Sequence, residues 1–169
     1  MASRESVDSP FGEPTVLGAN VNTRDAGAPA VTGDGLTLLF HSKRSMADDR
    51  VAVWQSTRGS TDQPFGPAVL LGPNINEPDV DQGPMISADG CVLFFTSRRA
   101  GGQGDSDLWT ATRPSLLAPF GPAVNWGPKI NSPQAESRPT LSLDGRTLYF
   151  YSKRPGSHNG FWETHRVPR

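Results

Sequence analysis

A single cysteine, Cys91, stands among 169 residues, so no disulfide framework can hold the chain together. No apolar run approaches the 18 or so residues of a membrane-spanning helix, and no span is expected. There is no excess of charge either. The chain carries 16 Lys and Arg against 17 Asp and Glu, which leaves no global field for nucleic acid or an anionic membrane. Apolar residues make up only 35% of the chain, yet 4 Trp and 8 Phe recur at regular places, which separates it from disordered polymers. The first ten residues are polar, so no signal peptide is expected in this chain, although processing could have removed one from a secreted parent.

What is abundant is glycine and proline, 18 and 16 residues, a density that excludes a helical bundle. They are not scattered. Phe11-Gly12, Phe65-Gly66 and Phe120-Gly121 lie 54 and 55 residues apart, followed in register by Gly18, Gly72 and Gly127 and by Asn22, Asn76 and Asn131. Pro29, Pro84 and Pro139 come next, then Asp34-Gly35, Asp89-Gly90 and Asp144-Gly145, and apolar runs ending in Phe40, Phe95 and Phe150. Ser42, Ser97 and Ser152 precede the basic pairs Lys43-Arg44, Arg98-Arg99 and Lys153-Arg154, and each unit closes on Trp54, Trp109 or Trp162. One unit is written three times.

Each copy reads as four short strands. The first covers 28–32, 84–87 and 139–142, and an Asp-Gly pair, able to take positive φ, then reverses the chain. The second covers 36–42, 91–97 and 146–152; the third, 51–57, 107–112 and 160–165. The fourth covers 67–72 and 122–127, with 13–18 in the same column at the N-terminus. Leu38-Leu39-Phe40, Leu93-Phe94-Phe95 and Leu148-Tyr149-Phe150 are apolar without alternation, so the second strands need cover on both faces. Four-stranded antiparallel units stacked face to face around an axis provide it, which predicts an all-β chain of β-propeller blades.

The unit from Phe120-Gly121-Pro122 through Ser142-Leu143-Asp144-Gly145-Arg146-Thr147-Leu148-Tyr149-Phe150 and Ser152-Lys153-Arg154 resembles the WD40-like repeat called PD40, known from TolB-type proteins. The resemblance runs from about Phe11 to Arg166. It is fullest in the second copy, with Gly101-Gly102-Gln103-Gly104-Asp105-Ser106-Asp107-Leu108-Trp109, and weakest in the first, where Ser45-Met46-Ala47-Asp48-Asp49-Arg50 replaces the Gly-rich loop. It implies a bacterial interaction scaffold, periplasmic or at the cell surface, and transfers no catalytic residue.

Propellers typically have four to eight blades, so three blades leave apolar faces and sheet edges uncovered. The segment 11–22 carries outer-strand columns without a blade of its own. The blades at about 27–76, 82–131 and 137–166 include a last one without its own outer strand. The expectation is that the N-terminal segment of one copy completes the final blade of another, giving a homodimer with six blades or, as a weaker option, a homotrimer with nine. A fragment of a longer propeller is the other possibility.

The loops before the first strands bring Asp25, Asp79, Asp81 and Glu136 toward one face, and the loops after the second strands bring Lys43, Arg44, Arg98, Arg99, Lys153 and Arg154 to the same face. They are candidates for a partner surface at the channel mouth, joined by Arg138, which replaces Ala28 and Gly83 in its column. The competing expectation is that each Arg pairs with a neighbouring carboxylate and pins the blades. Asp105 and Asp107 could offer oxygens to calcium, but Asp48-Asp49 and His158-Asn159 do not keep the spacing. His41, His158 and His165 lack ligand spacing, so no metal or cofactor is expected. Ser42, Ser97 and Ser152 read as loop caps, Cys91 as inert, and Trp54, Trp109 and Trp162 as packing between blades. The expected function is a non-enzymatic scaffold that self-assembles, with a possible protein partner at the channel face. The alternative is a fragment of a propeller hydrolase or lyase.

Overall fold

A computed structural model describes residues 6–23, 25–44, 50–77, 81–142, 144–156 and 160–165, the side chain of Asp81 excepted. Three antiparallel sheets follow one another along the chain, and among the described residues there is no α-helix. The first sheet is β1 (Gly27–Val31), β2 (Thr37–Ser42), β3 (Ala52–Thr57) and β4 (Val69–Leu70), in that order. The second repeats it with β5 (Asp81–Ile86), β6 (Val92–Ser97), β7 (Asp107–Thr112) and β8 (Val124–Asn125). The third has β9 (Glu136–Leu141), β10 (Thr147–Ser152) and β11 (Gly160–His165), and among the described residues β9 and β11 are its edges.

The Asp-Gly pairs make the first hairpin of every sheet. Gly35, Gly90 and Gly145 sit at φ of 73°, 72° and 67°, a region open to glycine without steric cost. Each Asp carboxylate accepts the hydroxyl of Thr32, Ser87 or Ser142 at 2.5–2.6 Å and the amide of Leu36, Cys91 or Arg146 at 2.9–3.0 Å. Those hydroxyl and amide bonds hold all three carboxyls below the usual aspartate range.

The strands pair in one register throughout: Phe40 faces Trp54, Phe95 faces Trp109, and Phe150 faces Trp162. Adjacent residues of the apolar runs therefore point to opposite faces. Leu39 and Val53 leave the first sheet toward the second, where Phe95, Trp109, Ile75 and Phe120 receive them in one core. From the far face of the second sheet, Leu108 packs with Leu148, Phe150 and Trp162 of the third, and Phe94 meets the Trp126 ring at 5.6 Å between centroids. Leu38, Phe40 and Trp54, on the outer face of the first sheet, are covered by Leu17 and Val21 from the N-terminal segment. Both faces of the first two middle strands are thus buried, as their apolar runs require.

The fourth strands are shorter than their columns suggest, two residues each. Pro67, Pro73, Pro122 and Pro128 flank them, and proline cannot donate to a ladder. Residues 11–18 form no strand at all.

Candidate functional site

The first strand of each sheet carries a bulge at one place. The registers slip between Gly27 and Ala30, between Gln82 and Met85, and opposite Tyr149 and Tyr151. The residue turned out of the ladder takes positive φ each time: Ala28 at 48°, Gly83 at 61° and Arg138 at 56°. Glycine adopts this conformation freely, whereas other L-residues give up roughly 1–2 kcal/mol there. The bulges and the prolines that follow, Pro29, Pro84 and Pro139, line a cleft of about 380 Å³ in which Arg138 is the one charged residue among those described. Arg138 is exposed.

The basic pairs divide into an outer and an inner member. Alternation along the strand sends Lys43, Arg98 and Lys153 outward, and Lys43 meets Asp25 at 3.2 Å on the surface. The second member follows Phe and Ser onto the packed face. The Arg99 guanidinium lies 4.9 Å from the centroid of Phe95 and 5.3 Å from that of Trp109, donates to Asn74 O at 3.1 Å and also bonds Ile75 O. Arg44 lies over Phe40 and Trp54 and donates to the carbonyls of Asn20 and Val21; Arg154 lies over Phe150 and Trp162 and donates to Ile130 O. Backbone carbonyls are thus the recurrent acceptors, in the loop that leads into each sheet. Among the described residues carboxylates join in two copies, Glu77 at 3.6 Å from Arg99 and Glu136 at 3.2 Å from Arg154. Burial lowers the pKa of Arg44, although a guanidinium stays charged in proteins.

Of the carboxylates expected at the same face, Asp25 is exposed and Glu136 is completely buried. Glu136 Oε1 accepts the hydroxyls of Ser152 at 2.6 Å and Ser132 at 2.7 Å, and Oε2 accepts the Ser132 amide at 2.8 Å. The candidates therefore do not converge on one pocket: Arg44, Arg99, Arg154 and Glu136 hold loops to sheets, while Arg138, Lys43, Arg98, Lys153 and Asp25 reach the surface. Asp79 and the Asp81 side chain lie outside the described residues.

The hydroxyls of Ser42, Ser97 and Ser152 accept the amides of Arg44, Arg99 and Arg154 two residues on, at 3.1–3.2 Å. Asp105 is exposed, while Asp107 is buried and accepts the Gln103 amide and the Asn125 carboxamide, tying down the glycine loop. Asp48-Asp49 and His158-Asn159 lie outside the described residues. Among the described residues no group of three or more His, Cys, Asp or Glu side chains could hold a metal ion. Cys91 is half-buried, its thiol 3.6 Å from Asp89 O. The His41 Nδ1 accepts the Gly83 amide at 3.2 Å, joining the first sheet to the second, and burial lowers its pKa. His165 is exposed on β11, 3.5 Å from Glu163. Trp109 and Trp162 lie in or against the cores between units, whereas Trp54 lies in the core between the outer face of the first sheet and the N-terminal segment.

Two sets of residues were given no role from the sequence. Arg58 and Arg113, four residues after their tryptophans, donate to the hairpin carbonyls Gly35 O and Gly90 O at 2.9 and 2.8 Å. They lie over the rings of Phe65 and Phe120 at 4.5 and 4.4 Å. Asn76 and Asn131 each bracket one residue of the third strand. The Val53 amide donates to Asn76 Oδ1 and Asn76 Nδ2 donates to Val53 O, both at 2.8 Å. Asn131 does the same to Leu108 at 2.8 and 3.0 Å. Both sets were visible as columns, but nothing in a column says which backbone group it meets.

No protein-family model and no curated protein sequence matches the chain. Among solved structures, TolB from Acinetobacter baumannii matches with a TM-score of 0.52 and 22% identity, over 78% of this chain and 27% of that one. A structure assigned as TolB from Agrobacterium tumefaciens matches with a TM-score of 0.57 and 16% identity, over 82% of this chain and 42% of that one. The likeness is one of fold, that of TolB-like β-propellers, and the chain spans less than half the length of either structure.

Proposed function

We propose that this chain is a non-enzymatic propeller interaction module that assembles with a second copy of itself into a six-bladed ring. The observation that carries the reading is a three-stranded sheet, together with a run of outer-strand columns that forms no strand. Among the described residues the sheets ending in β4 and β8 have four strands and the third has three, β9, β10 and β11. Residues 11–18 repeat the columns that lead into and through β4 and β8, yet form no strand. An edge strand is a template for pairing with another chain, and a head-to-tail contact of this kind closes after two copies of three blades. Partners would meet the face onto which the proline-lined cleft opens, where Arg138 supplies the charge.

Light scattering of the folded chain tests the assembly. The expected mass is twice the 18.1 kDa of one chain, independent of dilution through the micromolar range. A monomer with an intact β-sheet circular dichroism spectrum overturns it.

A further inference from the structure

We infer that the joint between two copies repeats, residue for residue, the joints already present within the chain, with Asn22 as its clamp and the β11 face as its seat. This rests on the self-assembly proposed above. The two internal joints share one construction. A turn closed by Gly72 O accepts the amides of Ile75 and Asn76, both at 3.0 Å, and Asn76 Nδ2 also donates to Leu71 O at 2.8 Å. That turn aims the carboxamide at Val53. The N-terminal segment has the same turn: Gly18 O accepts the amides of Val21 and Asn22, both at 3.0 Å, and Asn22 Nδ2 donates to Leu17 O at 2.8 Å. Asn22 is thus set in the clamping posture. It is exposed, and among the described residues its Oδ1 has no partner.

Its target follows from register. Val53 and Leu108, the clamped residues, face His41 and Thr96 in the ladders, and Phe161 faces Tyr151 in the same way. The amide and carbonyl of Phe161 therefore point away from β10, as those of Val53 and Leu108 point away from β2 and β6. In the internal joints Leu70 pairs with Trp54 and Val69 with Gln55, while Asn125 pairs with Trp109 and Val124 with Thr110. The same spacing sets Val16 against the second copy's Trp162, and Thr15 against the second copy's Glu163. Gly66 and Gly121 donate to Thr57 O and Thr112 O at 2.8 Å, which assigns the Gly12 amide to the second copy's His165 carbonyl. Phe11 belongs to the column of Phe65 and Phe120, and Arg166, in the column of Arg58 and Arg113, lies outside the described residues.

Burial points to the same partner. Leu39 and Val53 are 0% exposed, and their counterparts Phe94 and Leu108 are 6% and 1% exposed. The third sheet has Tyr149 and Phe161 in those columns, 44% and 78% exposed. Both remain apolar where a solvated face needs no aromatic. Within the chain this face is received by a neighbour built like Phe95, Trp109 and Ile75. The first sheet holds the same set as Phe40, Trp54 and Val21, already buried against the N-terminal segment. A second copy of this chain is therefore the occupant that fits both the edge and the face.

The test uses full-length chains with Cys91→Ser, one carrying Thr15→Cys and the other Glu163→Cys, mixed and treated with a short bismaleimide. A cross-linked pair is expected when both variants are present and not when either is alone. Asn22→Leu should weaken assembly at least tenfold, the loss of a bracketing pair of hydrogen bonds. Phe161→Glu, on a side chain already exposed within one chain, should abolish assembly while leaving the circular dichroism spectrum unchanged. A dimer that forms without the mixed cross-link, or that tolerates both substitutions, overturns this joint and leaves the assembly reading standing. A monomeric parent chain overturns the assembly itself.

Discussion

Replacing Arg99 by alanine removes a wedge from the joint between the first and second sheets, and the loss can be worked from its contacts. The side chain is 3% exposed. Its Nε donates to Ser97 Oγ at 2.9 Å, and its two terminal nitrogens hold Asn74 O and Ile75 O. Stranding two loop carbonyls costs about 1–2 kcal/mol each. Removing a cation from the Phe95 and Trp109 rings costs about 1 kcal/mol, and the lost packing of the buried stem about 2 kcal/mol. These terms share one side chain and are not additive, and water entering the gap recovers part of the carbonyl loss. The expected destabilisation is about 4 kcal/mol. The neighbouring Arg98 provides the control: it points outward, and its replacement by alanine should stay within about 0.5 kcal/mol. Arg99→Lys keeps charge and stem but loses the planar fork, and should fall between, near 2 kcal/mol by the same contact values. Urea unfolding at one fixed chain concentration reads all three. With a slope of about 2 kcal/mol per molar, Arg99→Ala moves the midpoint by about 2 M. A loss under about 1 kcal/mol, or one no greater than that of Arg98→Ala, would refute the claim that these guanidiniums lock the joints.

Glu136→Ala leaves Arg154 facing a buried gap and frees the Ser132 and Ser152 hydroxyls; breaking such a pair costs about 3 kcal/mol, readable as a lowered unfolding midpoint. Glu136→Gln, which keeps the oxygen nearest those hydroxyls, should lose about half of that. Burial lowers the His41 pKa, so the unfolded chain takes up the proton first. The stability it contributes is present above about pH 6.5 and is lost as the pH falls through the lowered value. His41→Gln should flatten the fall in melting temperature between pH 7.5 and pH 5.5, and an unchanged slope would remove His41 from the account. Arg138→Gly places glycine where φ is 56° and should raise stability by about 0.5–1 kcal/mol. A loss instead would mean that the Arg138 side chain contributes contacts beyond charge at the cleft.

The third strands were legible to the residue in two sheets, 107–112 and 160–165, because tryptophan columns and turn glycines bound them on both sides. The hairpins were legible because Asp-Gly marks a chain reversal, although only the glycine of each pair takes the positive φ expected of both. The fate of the basic pairs was legible in principle, since Phe95, Ser97 and Arg99 share a parity and Arg98 does not. Reading the pair as one charged feature hid that. Glu136 was not legible: its column holds Ala26 and Asp81 in the other copies, and its burial depends on Ser132 and Arg154 arriving from two different loops. Nor were the bulges. An alanine and an arginine at positive φ carry no local signal, and only the glycine at 83 hints that the backbone turns there.

The guanidinium locks also bear on how the chain reaches its fold. Arg44 holds a carbonyl 23 residues before it, and Arg99 and Arg154 each hold one 24 residues before. Each joint therefore closes within a short loop as the chain advances, so the loop-closure entropy is small and the same at every step. Structure can then spread from whichever unit forms first to its neighbours, as it does in other repeat proteins.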